Sequence, residues 1–174
     1  HGHEGGTDGP YVGAARQIAE QVGRRMESII GPVSEHARTD SGADARKAAL
    51  ALVDHFTLMI LLPESAPWAR FIVREQLDPS PAFEILYGGA MGPVLDRLSS
   101  LITRCGARSQ ARAQARVKAI AIIGQALVFR FARATLLRAT GWADVCAQES
   151  AAIRRVVRVH TMAILNDTRA ESRT

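Results

Sequence analysis

Serine, histidine and carboxylate side chains all occur in this 174-residue chain, but nothing in their spacing pairs a nucleophile with a base. There is no Gly-x-Ser-x-Gly elbow, no His-Glu-x-x-His and no phosphate-cradling glycine loop. A Glu-x-x-His pair of the kind that holds two irons inside a helical bundle is also missing. The opening His1-x-His3-Glu4 offers metal-binding side chains with no further fixed ligand, and Cys105 and Cys146 form neither a Cys-x-x-Cys pair nor a zinc-like spacing with histidine. The reading is therefore non-enzymatic, with no cofactor and no metal, and both cysteines are expected to be reduced and structural. What remains is the chemistry of recognition. Gln125 sits in the apolar run IAIIGQALVF, where a buried amide must find a hydrogen-bond partner or cost about 1 to 3 kcal/mol. No acidic residue lies between Asp96 and Asp144, whereas Arg97, Arg104, Arg108, Arg112, Arg116, Lys118, Arg130, Arg133 and Arg138 do. Carboxylates elsewhere in the fold, such as Asp54, Glu64, Glu75, Glu84, Glu149 or Asp167, could face that field, or part of it could face an anionic partner. The four-residue spacing of Arg104, Arg108, Arg112 and Arg116 places part of one helix face in a basic row, most simply a solvated one.

The elements that must position these groups are helices. Alternating β-branched runs are absent, and alanine, leucine, arginine and glutamine dominate. The length suits one domain. The net charge is +5, 47% of residues are hydrophobic, and apolar runs stay short of the roughly 18 residues a membrane span needs. The polar, glycine-rich start is not a secretory signal, so a soluble cytoplasmic protein without membrane contact is expected.

Six helices are predicted. The first covers about Tyr11 to Ile30, opened by Pro10 and closed by Gly31-Pro32, with an inward stripe of Ala15, Ile18, Ala19, Val22, Met26, Ile29 and Ile30. A loop from Val33 to Gly42 follows. The second, Ala43 to Leu61, takes Ser41 as cap with Asp44 three residues on. The third runs from Ser65-Ala66-Pro67 to about Gln76. In REQLDPSPAFEILYGGAMGPVLDRL, Ser80 caps and Pro81 restarts a fourth helix that reaches Cys105, distorted at Gly88-Gly89 and near Gly92-Pro93. The fifth spans about Ser109 to Ala139, stopped by Gly141. The sixth, Ala143 to Asp167, carries the stripe Ile153, Val156, Val157, His160, Ala163 and Ile164. Because the fifth helix is apolar around most of its circumference from Ala119 to Phe131, it needs cover on two sides. The sixth helix and a second copy of the same pair would supply it, giving a homodimer with a four-helix seam.

The element order, the motif WARFIVREQLDPSPAFEILYGGAMGPVLDRL and the later GQALVFRFARATLLRATGW resemble the C-terminal ligand-binding domain of TetR-type transcriptional repressors, in particular the CerR-like branch. The start, GHEGGTDGPY, resembles the junction at which that family's helix-turn-helix meets its ligand domain, with Gly5-Gly6, Asp8-Gly9 and Tyr11 matching. Thr7, Pro10, Gly2 and Glu4 depart from the pattern, and no helix-turn-helix is found in the chain. The resemblance implies an all-α, six-helix regulatory bundle, with residues 1–10 the remnant of a junction to an absent DNA-binding module. Residues 11–168 would form the ligand-binding and dimerisation domain and 169–174 a flexible tail. It implies a small-molecule effector, and operator DNA reached only through the module not present here.

The implied pocket would draw on His55, Phe56 and Met59 of the second helix, Phe71 and Glu75 of the third, and Phe83, Tyr87 and Met91 of the fourth, with Gln125 and Phe129 of the fifth. The aromatic and methionine positions, like His55, read more simply as core. The dimer seam would use Ile120, Leu127 and Phe131 with Ile153, Val156, Val157, His160 and Ile164. Arg130 and Arg133 could pair with Glu75 or Glu84, hold an anionic ligand or face the second copy. A buried arginine without a counter-charge is the outcome least expected. The alternative function is a helical dimeric binding or scaffold protein with no role on DNA.

Overall fold

The computed structural model describes residues 9–30, 42–106 and 112–167. The junction motif over residues 1–8, the Ser41 cap and its preceding loop, the Ser109 start and the tail from residue 168 lie outside these. Among the described residues the fold is all-α, without a strand. Its α-helices are α1 (Pro10–Ile30), α2 (Gly42–Leu61), α3 (Ala66–Leu77), α4 (Pro81–Leu86), α5 (Gly92–Cys105), α6 (Arg112–Phe131), α7 (Arg133–Thr140) and α8 (Ala147–Leu165). A 3-10 turn, Pro63–Ser65, leads into α3, and a π-helical turn, Tyr87–Met91, joins α4 to α5. No single helix among them is long and apolar enough to cross a membrane.

The count exceeds six because two predicted helices are interrupted. In the first interruption Pro93 has no N–H to offer the Gly89 carbonyl in the α pattern, and the chain widens so that the Gly92 N–H reaches the Tyr87 carbonyl five residues back. The distortion expected at the glycines is this π-turn. The second interruption, at Ala132, has no proline or glycine to announce it. Its backbone sits at φ −104°, ψ 36°, and the chain bends by 73°. Tertiary contacts hold the bend: Arg130 just before it is fixed to the end of α2, while Arg133 just after it pairs with Asp144 and Leu136 packs on the core.

Other boundaries follow local chemistry. Ser80 is extended, its hydroxyl accepts from the Ala82 N–H at 3.2 Å, and Pro81 takes the first helical turn, as its sequence implies. Gly141 terminates α7 in the left-handed region at φ 76°, a conformation that favours glycine. Ser65 does not cap α3. Its hydroxyl instead donates back to the Ile60 and Leu62 carbonyls at 2.6 and 2.7 Å, stitching the 3-10 turn to α2. Helix α8 begins four residues later than expected, at a capping box in which Glu149 accepts from the Cys146 N–H at 3.1 Å.

Helix α2 is the central element. Leu52, Val53, Phe56, Met59, Ile60 and Leu61 are all buried around it, and α1, α5, α6 and α8 pack against it. Side chains such as Met26, Leu52, Leu86 and Leu98 are almost completely enclosed, each stabilising by about 1.5 to 3 kcal/mol. Asp54 and Arg154 bind α2 to α8 through two parallel hydrogen bonds, 2.8 and 2.6 Å, and Arg116 pairs with Asp96 at 2.6 Å. The Arg116–Asp96 pair shows that part of the basic field is matched within the fold.

Candidate functional site

Beside α2 lies a cavity of about 400 Å³, walled by α1 to α6 and the π-turn. Helix α3 contributes Trp68, Ala69, Ile72 and Gln76, positions spaced so that one face of a helix repeats toward the space. Phe83 and Tyr87, stacked with centroids 6.1 Å apart, and Met91 close it from the α4 and π-turn side. Phe56 and Met59 form its α2 wall, and Ile120, Ile123, Gly124, Leu127 and Phe131 its α6 wall. Nearly every lining group is apolar. Among the described residues Gln76 offers its amide only to the Met91 sulfur at 3.5 Å, a weak acceptor.

Among the described residues the one charged lining group is Arg130, 9% exposed. Its Nε donates to the Ile60 carbonyl at 2.7 Å, and its Nη2 to those of Leu61 and Leu62 at 3.1 and 2.8 Å. Carbonyls that end a helix have no intrahelical donor and carry the negative end of its dipole, so the guanidinium acts as the C-terminal cap of α2 from another helix. Burial first, then the neighbouring Arg133, draws its pKa below the usual arginine value. The expected counter-charges are engaged elsewhere or exposed, Glu75 serving Tyr11 and Ser80 and Glu84 facing solvent, while Arg133 pairs with Asp144. The outcome least expected from sequence, a buried arginine without a carboxylate, is the one found, because three carbonyls replace it.

Of the residues picked from sequence, Phe56, Met59, Phe83, Tyr87 and Met91 line the cavity. His55 does not; its Nε2 lies 2.6 Å from the Arg25 carbonyl on α1. Phe71 stacks on Tyr11 at 4.5 Å and borders a separate surface groove between α1 and α3. Gln125 donates to Thr161 at 3.0 Å, joining α6 to α8, and Phe129 is half-buried away from the cavity. Glu75 is buried but turned toward the start of α1. It accepts from the Tyr11 hydroxyl, from the Ser80 N–H at 2.9 Å and from the Ser80 hydroxyl, which lies 2.9 Å from each carboxylate oxygen. The Tyr11 bond foremost, with the Ser80 N–H, holds this carboxyl below the usual glutamate value, and the same bond raises the Tyr11 phenol. Trp68, Ile72 and Gln76 were not picked, although their i, i+4, i+8 spacing carries the signal.

The residues assigned to a dimer seam divide. Ile120, Leu127 and Phe131 border the cavity, with Ile120 and Phe131 also 56% and 41% exposed at its mouth. Ile153 and Val157 face inward with Thr161 and Leu165, and Ile164 is half-buried. Val156 and His160 are exposed, together with Val159 and Met162. On α6, Val117, Ala121 and Val128 are exposed as well.

Residues 45–168 match the family model described as "HTH-type transcriptional dual regulator CecR, C-terminal domain". The chain is 25% identical over 170 residues to the HTH-type transcriptional dual regulator CecR of Shigella flexneri, an alignment covering 92% of this chain and 73% of that protein. With most of its length matched by the family model, from α2 through the whole of α8, the chain belongs to the CecR C-terminal domain family.

Proposed function

We propose that this chain is the effector-sensing and dimerising part of a TetR-type transcriptional repressor, working in the cytoplasm and reaching operator DNA through a helix-turn-helix joined before α1. The relative's name as a transcriptional regulator supports the regulatory role. The observation that carries the sensing role is the apolar cavity, because its volume falls in the range of small-molecule sites and its α1 wall is the helix nearest the N-terminus. A ligand that separates the π-turn from α1 would alter the direction in which α1 leaves the bundle, and a small rotation there moves two DNA-binding modules out of register. The chain's own work is binding and shape change, with no chemical step.

The second copy would cover the exposed stripe formed by Val117, Ala121 and Val128 on α6 with Val156, Val159 and Ala163 on α8. Two measurements test this reading. The neutral apolar dye N-phenyl-1-naphthylamine is expected to bind with enhanced fluorescence, and to lose that site in Gly124→Phe, where the added ring stands in open space at the cavity mouth. Absence of any bound dye refutes the sensing role. Sedimentation at micromolar concentration is expected to give a dimer that Val156→Glu converts to folded monomer; a monomeric native chain refutes the seam.

A further inference from the structure

The charge distribution of the cavity says more about its occupant than its volume does. Among the described residues the lining contains no aspartate or glutamate, and Arg130 is its sole ionised group. Nε and Nη2 of that side chain are engaged on the last carbonyls of α2, whereas Nη1 donates to no acceptor among the described residues. Three carbonyl dipoles compensate a cation only in part, the end of a helix being equivalent to about half a charge. A positive charge nine-tenths buried among apolar walls thus retains an unmatched fraction and two unused donors.

We propose that the effector of this cavity is an amphipathic monoanion: an apolar body that fills the space between the α3, α4 and α6 walls, bearing a single carboxylate received by the Nη1 edge of Arg130. This rests on the cavity being the effector site. A neutral apolar ligand would leave the buried cation as it stands. A dianion would leave one negative charge unmatched against Phe56, Trp68, Ile72 and Leu127, at large desolvation cost. One carboxylate matches the single formal positive charge of the lining and meets the guanidinium through charge-assisted bonds. Because Arg130 also holds the end of α2, occupancy of its free edge bears directly on the corner between α2 and α3.

The test is a matched pair of probes, 6-phenylhexanoate and 6-phenylhexanamide, titrated at neutral pH by calorimetry and by displacement of N-phenyl-1-naphthylamine. The carboxylate is expected to bind the native chain about tenfold to a hundredfold more tightly than the amide. Arg130→Gln should bring the two affinities together, and Arg130→Lys, which keeps the charge but gives up the planar fork, should give an intermediate preference. Equal affinities on the native chain overturn the proposal while leaving the sensing role intact if the neutral dye still binds. A preference that survives unchanged in Arg130→Gln overturns Arg130 as its receiver. Should that variant not fold, Arg130→Met decides, since it also removes the charge and an unchanged preference there has the same meaning. Failure of all three compounds to bind overturns both readings.

Discussion

Two adjacent glycines in the π-turn offer a discriminating perturbation. A Cβ at Gly89 would lie 2.8 Å from the Cβ of Ala19 on α1, whereas one at Gly88 meets nothing within 4 Å. Carbon atoms pack best about 3.5 to 4.0 Å apart, so Gly89→Ala is short of room by roughly 1 Å. Ala19 Cβ is a stub on a helix, and relief requires α1 itself to move. Overpacking of this kind costs about 1 to 3 kcal/mol, offset by the roughly 0.5 to 1 kcal/mol that replacing a helical glycine returns. The net expectation is a loss of up to about 2.5 kcal/mol for Gly89→Ala, and a gain of about 0.5 to 1 kcal/mol for Gly88→Ala. In a domain of this size, with about 2 to 4 °C per kcal/mol, the two single variants should fall on opposite sides of the native melting temperature. Far-ultraviolet circular dichroism in heat and in urea, at one fixed protein concentration, measures both. Adding Ala19→Gly to Gly89→Ala should recover the packing part of the loss, seen as a non-additive term in the double-mutant cycle. If Gly89→Ala is as stable as Gly88→Ala, α1 and the π-turn are not in the contact described, and the proposed route from cavity to α1 goes with it.

On α8, Ile153→Ala should cost about 2 to 5 kcal/mol because the side chain is buried, while Val156→Ala should stay within about 0.5 kcal/mol, both measured at protein concentrations dilute enough for the chain to be monomeric; equal costs in urea there would contradict the assigned faces. Asp54→Asn should cost only about 0.5 to 1 kcal/mol, since both partners of the Asp54–Arg154 pair are about one-third exposed and solvent screens them, and a much larger loss in chemical denaturation would mean the pair is dry. The Glu75 carboxyl is depressed on folding, so its contribution is present above the ordinary value of 4.5 and lost as pH falls through the lower folded value. Glu75→Gln should therefore be less stable than the native chain at neutral pH, with the difference shrinking in acid; a difference constant across that range would show that the charge of Glu75 does not matter.

The sequence was most readable where a residue's own backbone preference decides the outcome. Pro10, Ser80-Pro81 and Gly141 set boundaries that the fold keeps, and the α1 stripe is buried at Ala15, Ile18, Ala19, Val22 and Met26 as its period requires. It was less readable where two helix faces are both apolar. On α8, Ile153 and Val157 continue into Thr161 and Leu165, four residues apart each time, and that polar threonine hides the inner face; its hydroxyl is satisfied by the Val157 carbonyl at 2.7 Å. The bend at Ala132 and the role of Arg130 had no local signal, because both are fixed by residues distant in sequence. For the same reason the cavity emerged only in part: the aromatic and methionine positions stood out, while Trp68, Ile72 and Gln76 passed as an ordinary short helix.

The Arg130 cap also has an order in time. The carbonyls it satisfies belong to Ile60, Leu61 and Leu62, 68 to 70 residues earlier in the chain. A chain made from its N-terminus exposes the end of α2 well before its cap has been synthesised, so α1 and α2 can pair early while the corner into α3 stays unfinished. Closing so long a loop is an entropic cost that neither partner can recover alone. Substitutions at Arg130 should therefore act chiefly on the late stage of folding, after the α1–α2 pair has formed, and a nascent chain that stops short of α6 should keep this corner open to proteases.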